Sequence, residues 1–98
     1  MSDKKSSNLE NKDHETLLEF PCEFQIKAMG LATDSFEQLI LEIVRDHIED
    51  LPHTAAKSRQ SSNGKYLSVS ISITATSKVQ LDDIYIDLSA HEHVLMAL

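Results

Sequence analysis

The sequence has no tryptophan, one cysteine, two glycines and two prolines, and only 5% of its 98 residues are aromatic. A lone Cys22 cannot close an internal disulfide, so the fold must rest on packing alone, as expected in a reducing compartment. Basic residues are also scarce. Nine lysines and arginines face sixteen aspartates and glutamates, giving a net charge of -7 that repels a phosphate backbone at long range and argues against nucleic acid as a partner. No stretch approaches the roughly 20 apolar residues that cross a bilayer. Met1 to Thr16 is polar and lacks the apolar run of a signal peptide, so the expectation is a cytoplasmic chain with no membrane partner.

What is present is enough for one core. Hydrophobic residues make up 41% of the chain, which suits a single domain of modest stability. The stretch Tyr66 to Thr76 organises it. Leu67, Val69, Ile71, Ile73 and Ala75 alternate with Ser68, Ser70, Ser72 and Thr74, which describes a strand with one apolar and one hydroxyl face. Such alternation fits an antiparallel sheet covered on one side only.

Residues 1–16 carry Asp3, Lys4, Lys5, Glu10, Lys12, Asp13 and Glu15 with only Leu9 to bury, and read as a flexible polar tail before a single domain over 17–98. Leu17, Leu18 and Phe20 form an apolar patch ahead of Pro21, expected to fold against the end of the core. Cys22 to Met29 is a first strand, with Phe24, Ile26 and Ala28 alternating with Gln25, Lys27 and Met29. Gly30 is read as the turn after it. Asp34 and Glu37 suggest a capping box, followed by a helix from about Ser35 to Asp50 with Phe36, Leu39, Ile40, Ile43, Val44 and Ile48 on its core side. His53 to Ser61 reads as a weak edge strand, and Asn63-Gly64 as a tight hairpin turn, since both residues tolerate positive φ. After the central strand, Ser77 and Gln80 form a second capping box. Val79, Leu81, Ile84, Tyr85 and Leu88 mark a helix to about Ser89, and Val94 to Leu98 a last apolar strand.

The order βαββαβ with short connections predicts an α+β fold: the ferredoxin-like split βαβ sandwich, a four-stranded antiparallel sheet ordered 4-1-3-2 with both helices on one face.

Leu17-Leu18-Glu19-Phe20-Pro21, Phe24, Met29-Gly30, Ser62, Gly64, Tyr66, Ser68-Val69-Ser70-Ile71 and Ala75-Thr76 resemble the YbeD family of small bacterial proteins, over about Leu17 to Leu98. The resemblance implies a ferredoxin-like fold similar to the regulatory ACT domains of amino-acid enzymes, and a bacterial cytosolic location. It also implies a genetic neighbourhood of lipoate attachment. It supplies no catalytic residue.

Two places are candidates for function. The hairpin from Pro52 to Tyr66 holds Lys57, Arg59 and Lys65 with no acidic residue, whereas the helices carry Glu42, Asp46, Glu49, Asp50, Asp82, Asp83 and Asp87. Lys57, Arg59, Lys65 and Tyr66 are therefore candidates for meeting an acidic partner, against the plainer view that charge on an edge strand deters pairing. Met29, Gly30 and Asp34 stand where ACT domains bind their effector, but the loop lacks the acidic residue and Pro-Gly of that pattern. The open sheet face offers Tyr66 alone where RNA-binding relatives of this topology carry several aromatics. His91 and His93 flank Glu92, yet Cys22, His47 and His53 have no ligand spacing to join them, so no metal or other cofactor is expected. An acylphosphatase-like arginine and a copper-chaperone Cys-x-x-Cys are both missing after the first strand.

The resulting expectation is a non-enzymatic cytosolic module that binds another protein, and through its apolar last strand a second copy of itself. A small-molecule sensor resembling ACT domains is the alternative.

Overall fold

Period-two alternation decides which side of the sheet is covered. The computed structural model describes residues 18–98, so the expected tail over 1–16 and Leu17 lie outside the described residues. The elements run β1 (Cys22–Leu31), α1 (Phe36–Arg45), a single 3-10 turn (His53–Ala55), β2 (Ala56–Gln60), β3 (Tyr66–Ala75), α2 (Lys78–Ala90) and β4 (Met96–Ala97). In β3, Val69, Ile71, Ile73 and Ala75 are buried while Ser68, Ser72 and Thr74 are exposed. β1 repeats the pattern, with Ile26 and Ala28 buried and Gln25 and Lys27 exposed.

The sheet order is β2-β3-β1-β4 and every pairing is antiparallel. β1 and β3 form its centre, paired continuously from Cys22 opposite Ala75 to Leu31 opposite Tyr66. Their inner faces meet Phe36, Ile40, Leu41 and Val44 of α1 and Leu81, Ile84 and Leu88 of α2 in one core cluster. Burying each such side chain contributes about 1.5–3 kcal/mol. Phe20, Cys22 and Phe24 pack against the edge of this cluster, and Leu18 stays exposed.

Several local expectations are corrected. Gly30 is no turn, because β1 continues through it to Leu31. It is a point of close approach: a Cβ there would collide with the His93 carbonyl oxygen and come within 2.6 Å of Phe36 Cε1. Asp34 does not cap α1. The N-cap is Ser35, which makes no side-chain cap bond, and the Glu37 carboxylate instead accepts from Ser58 Oγ at 2.9 Å. α1 ends at Arg45, well before Asp50. The chain leaves it through backbone bonds from His47 and Ile48 to Val44 O, and Asp50 adopts a φ of 61°, a left-handed conformation that short polar residues tolerate better than most. Arg45 Nε then donates to Leu51 O at 3.1 Å, holding buried Leu51 under the helix end.

In the hairpin only Gly64 has positive φ (75°). Asn63 acts through its side chain, whose Oδ1 accepts from Ser61 Oγ and Lys65 N. The loop is therefore longer than a two-residue turn. Val79, expected in the core, is 67% exposed. At about 100° per residue it lies off the Leu81, Ile84 and Leu88 stripe. Leu41, absent from the expected stripe, is buried. The second helix start does close on the backbone: Gln80 N donates to the N-cap Ser77 Oγ at 3.0 Å, and Gln80 Oε1 accepts from Thr76 N at 2.8 Å, one residue ahead of the N–H a strict capping box would bond. The same Gln80 donates through Nε2 to His47 O, and His47 Nε2 lies 2.6 Å from Asp87 Oδ2, tying the turn after α1 to α2.

Candidate functional site

Because both helices cover one side, the outward side chains of the sheet form a continuous surface, and its register can be read across the strands. Arg59 pairs with Ser68, Ser68 with Met29, and Met29 with Met96, giving one row. The neighbouring row is Lys57, Ser70 and Lys27. Partners across strands share a face, so two lysines flank Ser70 at a backbone separation of about 10 Å. Lys65 Nζ sits 5.4 Å from the centre of the Tyr66 ring, within cation–π range. Between Met29, Arg59, Gln60, Ser61, Tyr66 and Ser68 lies a shallow concavity of about 210 Å³.

Charge is divided between the two layers of the molecule. Lys27, Lys57, Arg59 and Lys65 lie on the open face or at the hairpin tip. The other two cations among the described residues are engaged in the helix layer, Arg45 with Leu51 O and Lys78 with Asp82 at 2.9 Å. Glu42, Asp46, Asp82, Asp83 and Asp87 are exposed on the helices. On the sheet, Glu23 sits at the far end of β1, where it accepts from Thr74 Oγ1 at 3.4 Å. Hydroxyls set among cations can hold carboxylates by charge-assisted hydrogen bonds.

Of the sequence-derived partner residues, Arg59 and Tyr66 line one concavity, Lys65 stands beside the tyrosine, and Lys57 lies one row further along the same face, opposite Ser70. Lys27, which the period-two pattern of the first strand already puts on the open face, belongs with them opposite Ser70. Met29, Gly30 and Asp34 are not brought together. Met29 faces outward, Gly30 is buried on the helix side, and Asp34 is exposed ahead of α1. Beside Gly30 is a small pocket of about 130 Å³, lined by Leu31, Thr33, Phe36, Glu92, His93 and Leu95. From the sequence Leu31 falls in the loop after the first strand and Leu95 in the last apolar strand, and only the fold brings the two to one pocket. A broader cleft of about 470 Å³, lined by Glu23, His47, Glu49, Asp50, Thr74 and Gln80 among others, opens at the opposite end.

The His91 and His93 rings stand edge to face at 5.3 Å. Among the described residues no three His, Cys, Asp or Glu side chains are placed to hold a metal ion, and no helix is long and apolar enough to cross a membrane.

Fold and surface together define the class: a ferredoxin-like α+β module with one sheet face uncovered among the described residues. Residues 15–98 match the model of a family described as protein of unknown function, DUF493, and the chain belongs to that family. A UPF0250 protein of Chromobacterium violaceum is 42% identical over 86 residues, spanning 88% of this chain and 97% of that one. A UPF0250 protein of Nitrosomonas europaea is 44% identical over 84 residues, spanning 86% and 97%. These relatives agree with the YbeD resemblance. The solution structure of protein HP0495 from H. pylori superposes with a TM-score of 0.63 at 18% identity, covering 83% of this chain and 85% of that one, and so shares the fold.

Proposed function

We propose that the protein is a cytosolic binding module without chemistry of its own, which uses the open sheet face to dock an acidic surface of another protein. The observation that carries this reading is the separation of charge: Lys27, Lys57, Arg59 and Lys65 gather around Ser68, Ser70 and Tyr66 on an otherwise acidic molecule. Complementary potentials speed encounter and exclude wrong partners more than they add affinity. The test is to capture partners from the native cell, identify them by mass spectrometry, and titrate the purified pair by calorimetry. With Lys57→Glu and Arg59→Glu together, binding weakens by about a hundredfold and the wild-type affinity falls as salt is raised. Unchanged affinity would remove the reading.

A second reading rests on the pocket beside Gly30, whose apolar walls Leu31, Phe36 and Leu95 face Glu92 and His93. A small ligand seated there would make the module a sensor. Thermal shift with a panel of amino acids and lipoate tests it, since a ligand that binds the folded state raises the melting temperature. Flat melting curves throughout would discard it.

A further inference from the structure

The open face borders an edge strand, and the backbone of that edge has a definite phase. Ser61 N donates to Tyr66 O at 2.9 Å, so residues 61 and 66 form a hydrogen-bonded pair. In an antiparallel ladder such pairs alternate with non-bonded ones. Stepping back along the register, Arg59 with Ser68 and Lys57 with Ser70 are bonded pairs whose peptide groups point into the sheet. Ser58 and Gln60 direct their N–H and C=O groups away from β3. Among the described residues no strand lies on that side, because β2 ends the sheet. Lys57, Ser58, Arg59 and Gln60 are all exposed.

We infer that β2 receives an extended acidic segment of a partner protein as a fifth strand, with carboxylates at alternate positions set against Lys57 and Arg59. The inference rests on the docking reading above and names its occupant. A strand added antiparallel would exchange hydrogen bonds with Ser58 and Gln60. Its residues opposite Lys57 and Arg59 would then fall in non-bonded pairs, where facing side chains approach most closely. Two acids with one residue between them would meet the two cations on the open face. The residue between them would point to the helix side, where Ser58 Oγ is already bonded to Glu37, so an acid there is rejected. The recognised pattern is therefore acid, non-acid, acid in a strand-forming context.

The same charges decide who cannot bind. A second copy paired antiparallel about Ser58 would set Lys57 against Arg59 of its neighbour, a like-charge contact. Nucleic acids and anionic lipids offer phosphate but no peptide groups for Ser58 and Gln60. Charge on this edge thus bars casual pairing and admits one kind of strand.

Three synthetic peptides test this by amide NMR on the full chain: one alternating glutamate with threonine, one of the same composition with its glutamates adjacent, and the alternating one N-methylated on the amides that would pair. The alternating peptide is expected to bind at least about tenfold tighter than either control. It should slow exchange of the Ser58 and Gln60 amide hydrogens, and should lose its binding to the Lys57→Glu, Arg59→Glu variant, whose unperturbed spectrum elsewhere confirms folding. Equal binding of all three peptides through Lys57 and Arg59 would overturn strand addition while leaving acidic docking intact. Absence of charge-dependent binding by any of them would overturn strand addition as well, and unchanged affinity of the captured partner for the reversed-charge variant would then separately remove the docking reading.

Discussion

Tyr85 places a phenol where burial matters: its hydroxyl donates to Leu98 O, and loss of solvation on burial raises its pKa above the ordinary tyrosine value. A group whose folded-state pKa is raised contributes stability that is complete below the unfolded value and disappears as pH rises through the folded one. Alkaline titration followed by ultraviolet absorbance should therefore show a late-ionising phenol step that belongs to Tyr85. Tyr85→Phe should remove the late step and flatten the loss of stability above pH about 10. Gly30 gives a steric counterpart. In Gly30→Ala the new methyl conflicts with both the Phe36 ring and the His93 backbone, and overpacking of this kind costs about 1–3 kcal/mol. Urea denaturation reads that directly. Gly30 looked like a turn because glycine before a helix usually marks one, and only the return of residues 91–95 over β1 shows that bulk is what is excluded.

The two helices begin differently although their sequences look alike. Asp34 and Glu37 mimic Ser77 and Gln80, but only the second pair closes on the backbone. Ser77→Ala should cost about 1 kcal/mol, whereas Asp34→Ala should stay within about 0.5 kcal/mol, both measured by thermal or urea unfolding. The spacing is legible in sequence; whether the carboxylate turns to the helix or to a neighbouring strand is not, and Ser58 on β2 takes Glu37 away. β2 itself was legible as a weak edge because it has no apolar run. Its charges were legible too, but the phase of its free backbone depends on where the Ser61 to Tyr66 loop sets the register.

The two sheet edges present opposite chemistry across the whole molecule. β2 carries cations, while β4 and the residue after it present Met96 and Leu98, exposed at 49% and 69%. Leu98 exchanges backbone bonds with Lys27, so by alternation the peptide groups of Ala97 face outward. A second copy joined there antiparallel about Ala97 would set Met96 against Leu98 of its neighbour and continue the sheet without meeting Lys57 or Arg59. Light scattering at rising concentration should show a dimer that Leu98→Asp dissociates. Only monomer at high concentration would count against it.

Alternation in β1 and β3 and the apolar stripes of two helices were sufficient to determine the elements, their order and the covered face, because each follows from local periodicity and the burial of apolar area. Tertiary structure alone decided that Gly30 is a contact, that Glu37 serves β2, and which amides of β2 are free. Those facts depend on register and on close approach between segments far apart in the chain, and no local pattern encodes which neighbour a side chain will meet.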